Sequence, residues 1–349
     1  MQSKHFKFFG FLLFLLQICL LCVLWNKQFH TNCKSLYVKS KESNYTYTTP
    51  TKSNKIIFCF PFLHELDLLH IKLLTLSDYV ELFVLAESPY DERGYEKELT
   101  FNLHKNESRF QLYGHKIFHV IDYFKPTKQG KDLGWTMTQR MRNIIGEKII
   151  HQLSEKYPDT IVLFGDADEV PSAQSLQWLT DHCCDPSVTY EFSSTLPSFQ
   201  YSLQWMTFRS GGNTGLTARS MKDEALFWKM WLSGMKSNQN LLPLPFYPSG
   251  WHCSYCFTSD LCVNKLKHAN LADGPPFLGL YEWSVELFDA LRACGVAPQG
   301  NTLMETKMNT DVSFPEWDKT LYPYLFNVQI CSNEMLALIE EHKKTGIKD

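Results

Sequence analysis

Two aspartates one residue apart, Asp166 and Asp168, follow the apolar run Thr160-Ile161-Val162-Leu163-Phe164. On an extended segment, side chains two apart point the same way, so the spacing predicts two carboxylates converging where a strand leaves its sheet. Open α/β folds place ligands at that carboxyl edge. Hard carboxylate oxygens suit Mn2+ or Mg2+. Such a cation offsets the charge of a diphosphate leaving group, as when the glycosidic bond of a nucleotide sugar breaks. A second reading of the same residues stays open: a solvated acidic turn whose Asp168 and Glu169 favour the N-terminus of a following helix.

The other concentration of reactive groups is Gly250-Trp251-His252-Cys253-Ser254-Tyr255-Cys256-Phe257. Zinc would need His252, Cys253, Cys256 and Cys262, a spacing that fits zinc sites poorly. These residues read better as a disulfide-tied loop that turns Trp251 and His252 toward a site.

The elements that must position these groups follow from hydrophobic spacing. Ile56 to Phe60 is a short apolar run closed by Pro61, a buried strand. From His64 to Leu76, apolar residues recur at Leu66, Leu69, Leu73 and Leu76, a helical spacing, and Tyr79 to Ala86 is again strand-like. This β-α-β alternation predicts a parallel sheet. Lys116 to Ile121 reads as a strand and Thr136 to Tyr157 as a long helix before Pro158. Thr160 to Phe164 is a strand, and Ser172 caps a helix reaching about Leu179. Residues 188–247 carry shorter strands and turns; 284–294 and about the last 18 residues read as helices.

Bulk properties narrow the class. The chain has 349 residues, 44 % of them hydrophobic and 14 % aromatic, with a net charge of -3. That charge makes no broad basic field, so nucleic acid is not an expected partner. Aromatic richness fits carbohydrate, whose C–H faces stack on rings, and equally fits a large core. Residues 8–25 form an uncharged apolar run long enough to cross a hydrocarbon core. No small-residue cleavage site follows, so the run reads as an uncleaved anchor after a cytosolic tail of residues 1–7. The sequons at Asn44 and Asn106 make sense only in a lumen and set the orientation. Residues 26–54 are polar and read as a stem, leaving 55–349 as one lumenal domain. Of eleven cysteines, Cys19 and Cys22 lie in the span. The remaining number is odd, and Cys33 in the stem is the candidate for a disulfide-linked dimer.

Three ordered motifs resemble glycosyltransferase family 17: Glu65-Leu66-Asp67-Leu68-Leu69 with a strand ending in Glu87-Ser88, then Asp166-Ala167-Asp168-Glu169-Val170-Pro171, then Gly250 to Phe257. The likeness covers roughly residues 55–330. It implies a GT-A-like fold, a Rossmann-type, mostly parallel sheet flanked by helices. It also implies inverting transfer of GlcNAc from UDP-GlcNAc to a mannose of a protein N-glycan in β-1,4 linkage, with a divalent cation, in the Golgi membrane as a single-pass type II protein. Family members often carry a further Asp where this chain has Gly165.

By this resemblance Asp166 and Asp168 bind metal and diphosphate. Inversion needs a base, for which Glu169, Asp260, Asp273 and Glu282 are candidates, with Glu169 slightly preferred for its place beside the acidic motif and equally open to a structural role at a helix end. His252 or His268 would complete a metal site. Arg140 or Arg142 would reach the diphosphate or else lie on a solvated helix face, and Glu87 would reach the nucleotide or hold a structural hydrogen bond. Two rivals stand beside the transferase: a catalytically silent glycan binder, and a metal-dependent hydrolase. The hydrolase would need a second carboxylate- or His-rich motif, and the sequence shows none.

Overall fold

In the computed structural model, the described residues are 55–129, 136–148, 152–153, 156, 160–182, 191–193, 196–211, 214–217, 242–243, 249–268, 283–297, 303–305, 320–325 and 330–345. The apolar run 8–25, the stem, Asn44 and Cys33 lie outside them. Among the described residues no helix is long and apolar enough to cross a membrane.

The first strands form as their apolar runs predict: β1 (Lys55–Pro61), β2 (Val80–Glu87), β3 (Ile117–Ile121) and β4 (Thr160–Phe164). β1 pairs in parallel with β2 on one side and β4 on the other, and β3 extends the sheet beyond β2. The helix α1 (Leu66–Leu76) makes the β1–β2 crossover. Between β2 and β3 the chain forms two short helices, α2 (Thr100–His104) and α3 (Ser108–Gln111), which lack the repeated spacing that marks a helix in sequence. The helix expected over 136–157 is described as α4 (Thr136–Lys148).

Both faces of β1 are covered, which is why its sequence does not alternate with polar residues. Ile56, Phe58 and Phe60 join the core cluster that includes Leu68, Leu69 and Leu73 of α1. Ile57 and Cys59 point the other way, into a cluster with Met141 and Ile145 of α4. The chain steps outward from β1 to β2 and β3, then returns to β4 on the far side. The carboxyl ends of β1 and β4 therefore flank a topological switch point.

Past β4 come β5 (Glu169–Pro171), α5 (Ala173–His182), β6 (Glu191–Ser193), β7 (Leu196–Gln200), β8 (Ser202–Gly211), β9 (Thr214–Thr217), β10 (Leu242–Pro243) and β11 (Gly250–Ser254). They continue into α6 (Ser259–His268), α7 (Val285–Ala293), β12 (Met304–Glu305) and α8 (Asn333–Thr345). The main sheet runs β10-β6-β9-β4-β1-β2-β3, its β4–β9 and β9–β6 pairs being antiparallel. A second sheet runs β12-β8-β7-β11-β5. Ser284 caps α7, its Oγ accepting from Leu287 N at 3.1 Å. Cys294 and Cys331 are paired across the α7–α8 connection.

Candidate active site

β4 ends at Phe164, and the acidic motif is a turn rather than the continuing strand the spacing predicts. Glu169 N donates to Asp166 O at 3.1 Å, and the Glu169 carboxylate accepts from Asp166 N at 3.0 Å. The next residues then run straight into β5. The two aspartates consequently face different partners. Asp166 Oδ1 accepts from Arg142 of α4 at 2.8 Å, with its side chain 36 % exposed. Asp168 is more enclosed, at 13 %, and faces His252 Nε2 at 3.6 Å and Lys265 Nζ of α6 at 3.7 Å.

The register of β11 on β5 makes that pairing: His252 lies opposite Glu169, Trp251 opposite Val170 and Gly250 opposite Pro171. Gly250 has φ +148°, and a Cβ there would sit 2.3 Å from Val170 O and 2.5 Å from Pro171 Cα, so only glycine permits this close approach. Adjacent strand residues face opposite sides. Trp251 therefore enters the core, 2 % exposed, while His252 turns to the acidic turn. Ser198 Oγ of β7 lies 3.0 Å from His252 Nδ1 and fixes the ring.

Beneath the turn, Lys72 of α1 donates to Asp166 O at 2.8 Å. Lys265 also reaches Glu65 at 3.6 Å, and Glu65 in turn accepts from the Leu63 and His64 amides at 3.0 Å each. Four carboxylates (Glu65, Asp166, Asp168, Glu169) thus interleave with Lys72, Arg142, Lys265 and His252. Burial disfavours the Asp168 charge, but His252 and Lys265 outweigh it and hold this carboxyl well below the usual range. Burial works against His252 too, yet Asp168 dominates and lifts the imidazole to about 9. Burial, with Asp166 beside it, raises Glu169 to about 7. Lys72 falls to about 7 through burial, against the pull of Glu169 and its neighbours.

The sequence profile of glycosyltransferase family 17 matches residues 26–269, more than half of the chain. The chain belongs to glycosyltransferase family 17. The resemblance carried by the three motifs is borne out. The human β-1,4-mannosyl-glycoprotein 4-β-N-acetylglucosaminyltransferase is 27 % identical over 238 residues, 63 % of this chain and 44 % of that protein. The mouse counterpart is 26 % identical over 239 residues, 63 % and 43 % of the two chains. This family 17 chain therefore spans less than half the length of these curated relatives. The Pyrobaculum calidifontis mannosyltransferase PcManGT, solved with GDP-Man and Mn2+, overlaps 55 % of this chain and 53 % of its own. That overlap, at 14 % identity and a TM-score of 0.29, is too slight to bear on the chemistry.

Within this family 17 site, several expected residues change roles. Glu87 is fully buried and accepts from Phe101 N at 2.9 Å and Asn102 N at 3.3 Å, so it anchors α2 instead of meeting a nucleotide. Arg140 is turned away: it pairs with Asp122 at 2.6 Å and stacks over Phe124 at 3.9 Å. Two residues apart on a helix is about 200° of rotation, so only Arg142 reaches the turn. The Trp251 indole is core. The Glu169 carboxylate, 3 % exposed, is occupied inside the turn, which removes the ground for preferring it as base. Asp260 lies exposed on the first turn of α6. Asp273, Glu282 and the His268 side chain lie outside the described residues. Cys253 pairs with Cys256, which takes both from any zinc site.

Lys72, Lys265 and Glu65 were missed as site residues. For Lys72 a signal existed: it stands four residues from both Leu68 and Leu76, on the apolar stripe of α1. Lys265 has none, because only the fold brings α6 to the turn.

A divalent cation fits this donor set in part. Among the described residues no three His, Cys, Asp or Glu side chains converge as a metal site. Asp168 and His252 do face one another, with Ser198 behind the ring as an orienting partner. Two protein ligands suit Mg2+ or Mn2+, which fill their remaining positions with phosphate oxygens and water.

Proposed function

We propose that this chain moves GlcNAc from UDP-GlcNAc to a mannose of a protein N-glycan in β-1,4 linkage, using Mn2+ or Mg2+. We place it in the Golgi membrane as a single-pass type II protein, with residues 55–349 in the lumen. Family membership supports the class of chemistry. The single observation that carries the reading is the pair Asp168–His252, 3.6 Å apart at the switch point and flanked by Arg142 and Lys265.

Asp168 and His252 would hold the cation, the imidazole giving up its extra proton as it does so, and the bound cation would take up charge on the departing diphosphate. Arg142 sits on the Asp166 carboxylate at the mouth of the turn and donates to diphosphate oxygens there. Lys265, retained by Glu65, presents its remaining donors to the same group. A cavity of about 170 Å³ at the carboxyl ends of β1 and β2, lined by Leu63, His64, Asp91, Lys97 and Asn264 among others, is the space we assign to the nucleoside. Ser198 keeps the His252 ring aimed at Asp168.

The test is UDP release by the purified lumenal domain, given UDP-GlcNAc and an N-glycan acceptor. Transfer should stop in chelator and return with Mn2+. Undiminished transfer in chelator would remove the cation, and no UDP release with any UDP-sugar would favour the silent glycan binder. Asn106 is exposed in the turn between α2 and α3, so an enzymatically removable glycan there would support the lumenal placement.

A further inference from the structure

We infer that Lys72 is a positioning residue for the acidic turn, acting through the Asp166 carbonyl to keep Asp168 aligned with His252. The inference rests on the proposed reading of that turn as the donor and cation site.

Lys72 occupies the middle of α1, on its sheet-facing stripe, and is 0 % exposed. Its Nζ lies 4.5 Å from the Phe58 ring centroid and 4.1 Å from that of Phe60. The ammonium's polar contact is the Asp166 carbonyl, at 2.8 Å. A leucine there would continue the stripe of Leu68 and Leu76 at no electrostatic cost. Burying an ammonium is expensive unless it is paired and hydrogen-bonded. Its compensation comes from the two ring faces, that carbonyl, and the field of Glu169, Asp168, Asp166 and Glu65.

The same carbonyl also accepts from Glu169 N, the bond that closes the turn. One oxygen thus receives the turn's own amide and an outside cation, which ties the turn to α1 and β1. Without Lys72, that oxygen keeps one donor and the four carboxylates lose their counter-charge from below. The turn then relaxes toward water, and Asp168 leaves its place opposite His252. Lys72 itself, having no exposure, meets no substrate.

The experiment is calorimetric titration of Mn2+ with UDP into the lumenal domain, for wild type, Lys72→Met, Lys72→Gln and Lys72→Arg. Near-ultraviolet circular dichroism and melting check the fold of each. Lys72→Met should remain folded and bind Mn2+–UDP about 10–100-fold more weakly, the usual cost of losing support behind a metal ligand. Lys72→Arg, which restores a charged donor, should recover most of that loss, and Lys72→Gln should fall between. The acceptor KM should not move, whereas the donor KM should rise. Wild-type affinity in folded Lys72→Met or Lys72→Gln would overturn the inference. Failure of all three variants to fold would overturn it as well, because Lys72 would then be a requirement of the core. Absence of Mn2+–UDP binding by the wild type would instead strike the proposed function, and this inference with it.

Discussion

Replacing Asp168 with Asn keeps the side chain's shape and removes its charge. That carboxylate faces both His252 and Lys265 in an enclosed position. Breaking one side of a fully buried ion pair costs about 3–5 kcal/mol. Here Lys265 keeps Glu65 at 3.6 Å, and His252, which loses its largest upward influence, can lower its charge toward its ordinary proton affinity. The stability loss should therefore be nearer about 1–2 kcal/mol, the range of one lost polar contact. For a domain of this size that is a melting shift of roughly 2–8 °C. The catalytic loss should be far larger. Removing one of the two protein ligands proposed for the cation takes away several kcal/mol of charge stabilisation, and about 4 kcal/mol is about a thousandfold in rate. UDP release and scanning fluorimetry on the same preparation separate the two effects. A folded Asp168→Asn protein transferring sugar within tenfold of wild type, on the same scale of about 1.4 kcal/mol per decade, would refute the reasoning. Asp168→Ala is the poorer probe, since it adds a cavity to the charge loss.

The two arginines of α4 should part company. Arg142→Ala should lower kcat/KM for the donor by about 10–100-fold, the worth of a hydrogen bond to a charged group, whereas Arg140→Ala should leave it near wild type; equal effects would contradict the assignment of the two faces. Gly250→Ala should cost about 3 kcal/mol or more, because its Cβ meets Val170 O and Pro171 Cα at 2.3 and 2.5 Å, and normal secretion and melting of the variant would count against the β5–β11 register. His70, whose charged neighbours are Arg109 and Asp67, supplies a pH test of its own. Burial, reinforced by Arg109 and opposed by Asp67, lowers its pKa, and its Nδ1 lies 2.6 Å from Tyr322 Oη. The unfolded chain then takes up a proton near pH 6.5 that the folded chain still refuses, so stability falls as pH drops below that value. His70→Phe should flatten this part of the urea-midpoint profile; an unchanged slope would remove His70 as its source.

What the sequence by itself determined is the part built from local regularity. The apolar runs at 56–60 and 160–164 dictate buried strands, because a sheet covered on both faces takes no polar alternation, and 79–86 and 116–121 read as strands beside them. With the intervening helical spacing they dictate the parallel part of an α/β sheet, and three ordered motifs carry the resemblance to the family. The acidic pair was legible as chemistry, since two aspartates after a buried strand have few places to go but its carboxyl end.

Tertiary structure decided which groups meet. Asp166 and Asp168 diverge because the strand stops at Phe164 and Glu169 closes a turn, a choice made by a hydrogen bond that residue spacing does not reveal. His252 reaches Asp168 because β11 pairs with β5, and Trp251 is lost to the core by the same alternation. Arg142 is selected over Arg140 by which face of α4 lies on the sheet. Lys265 arrives from a helix almost a hundred positions along the chain. Contacts of this kind follow from packing between distant segments, and the energy of packing belongs to the assembled core, not to any one stretch of chain.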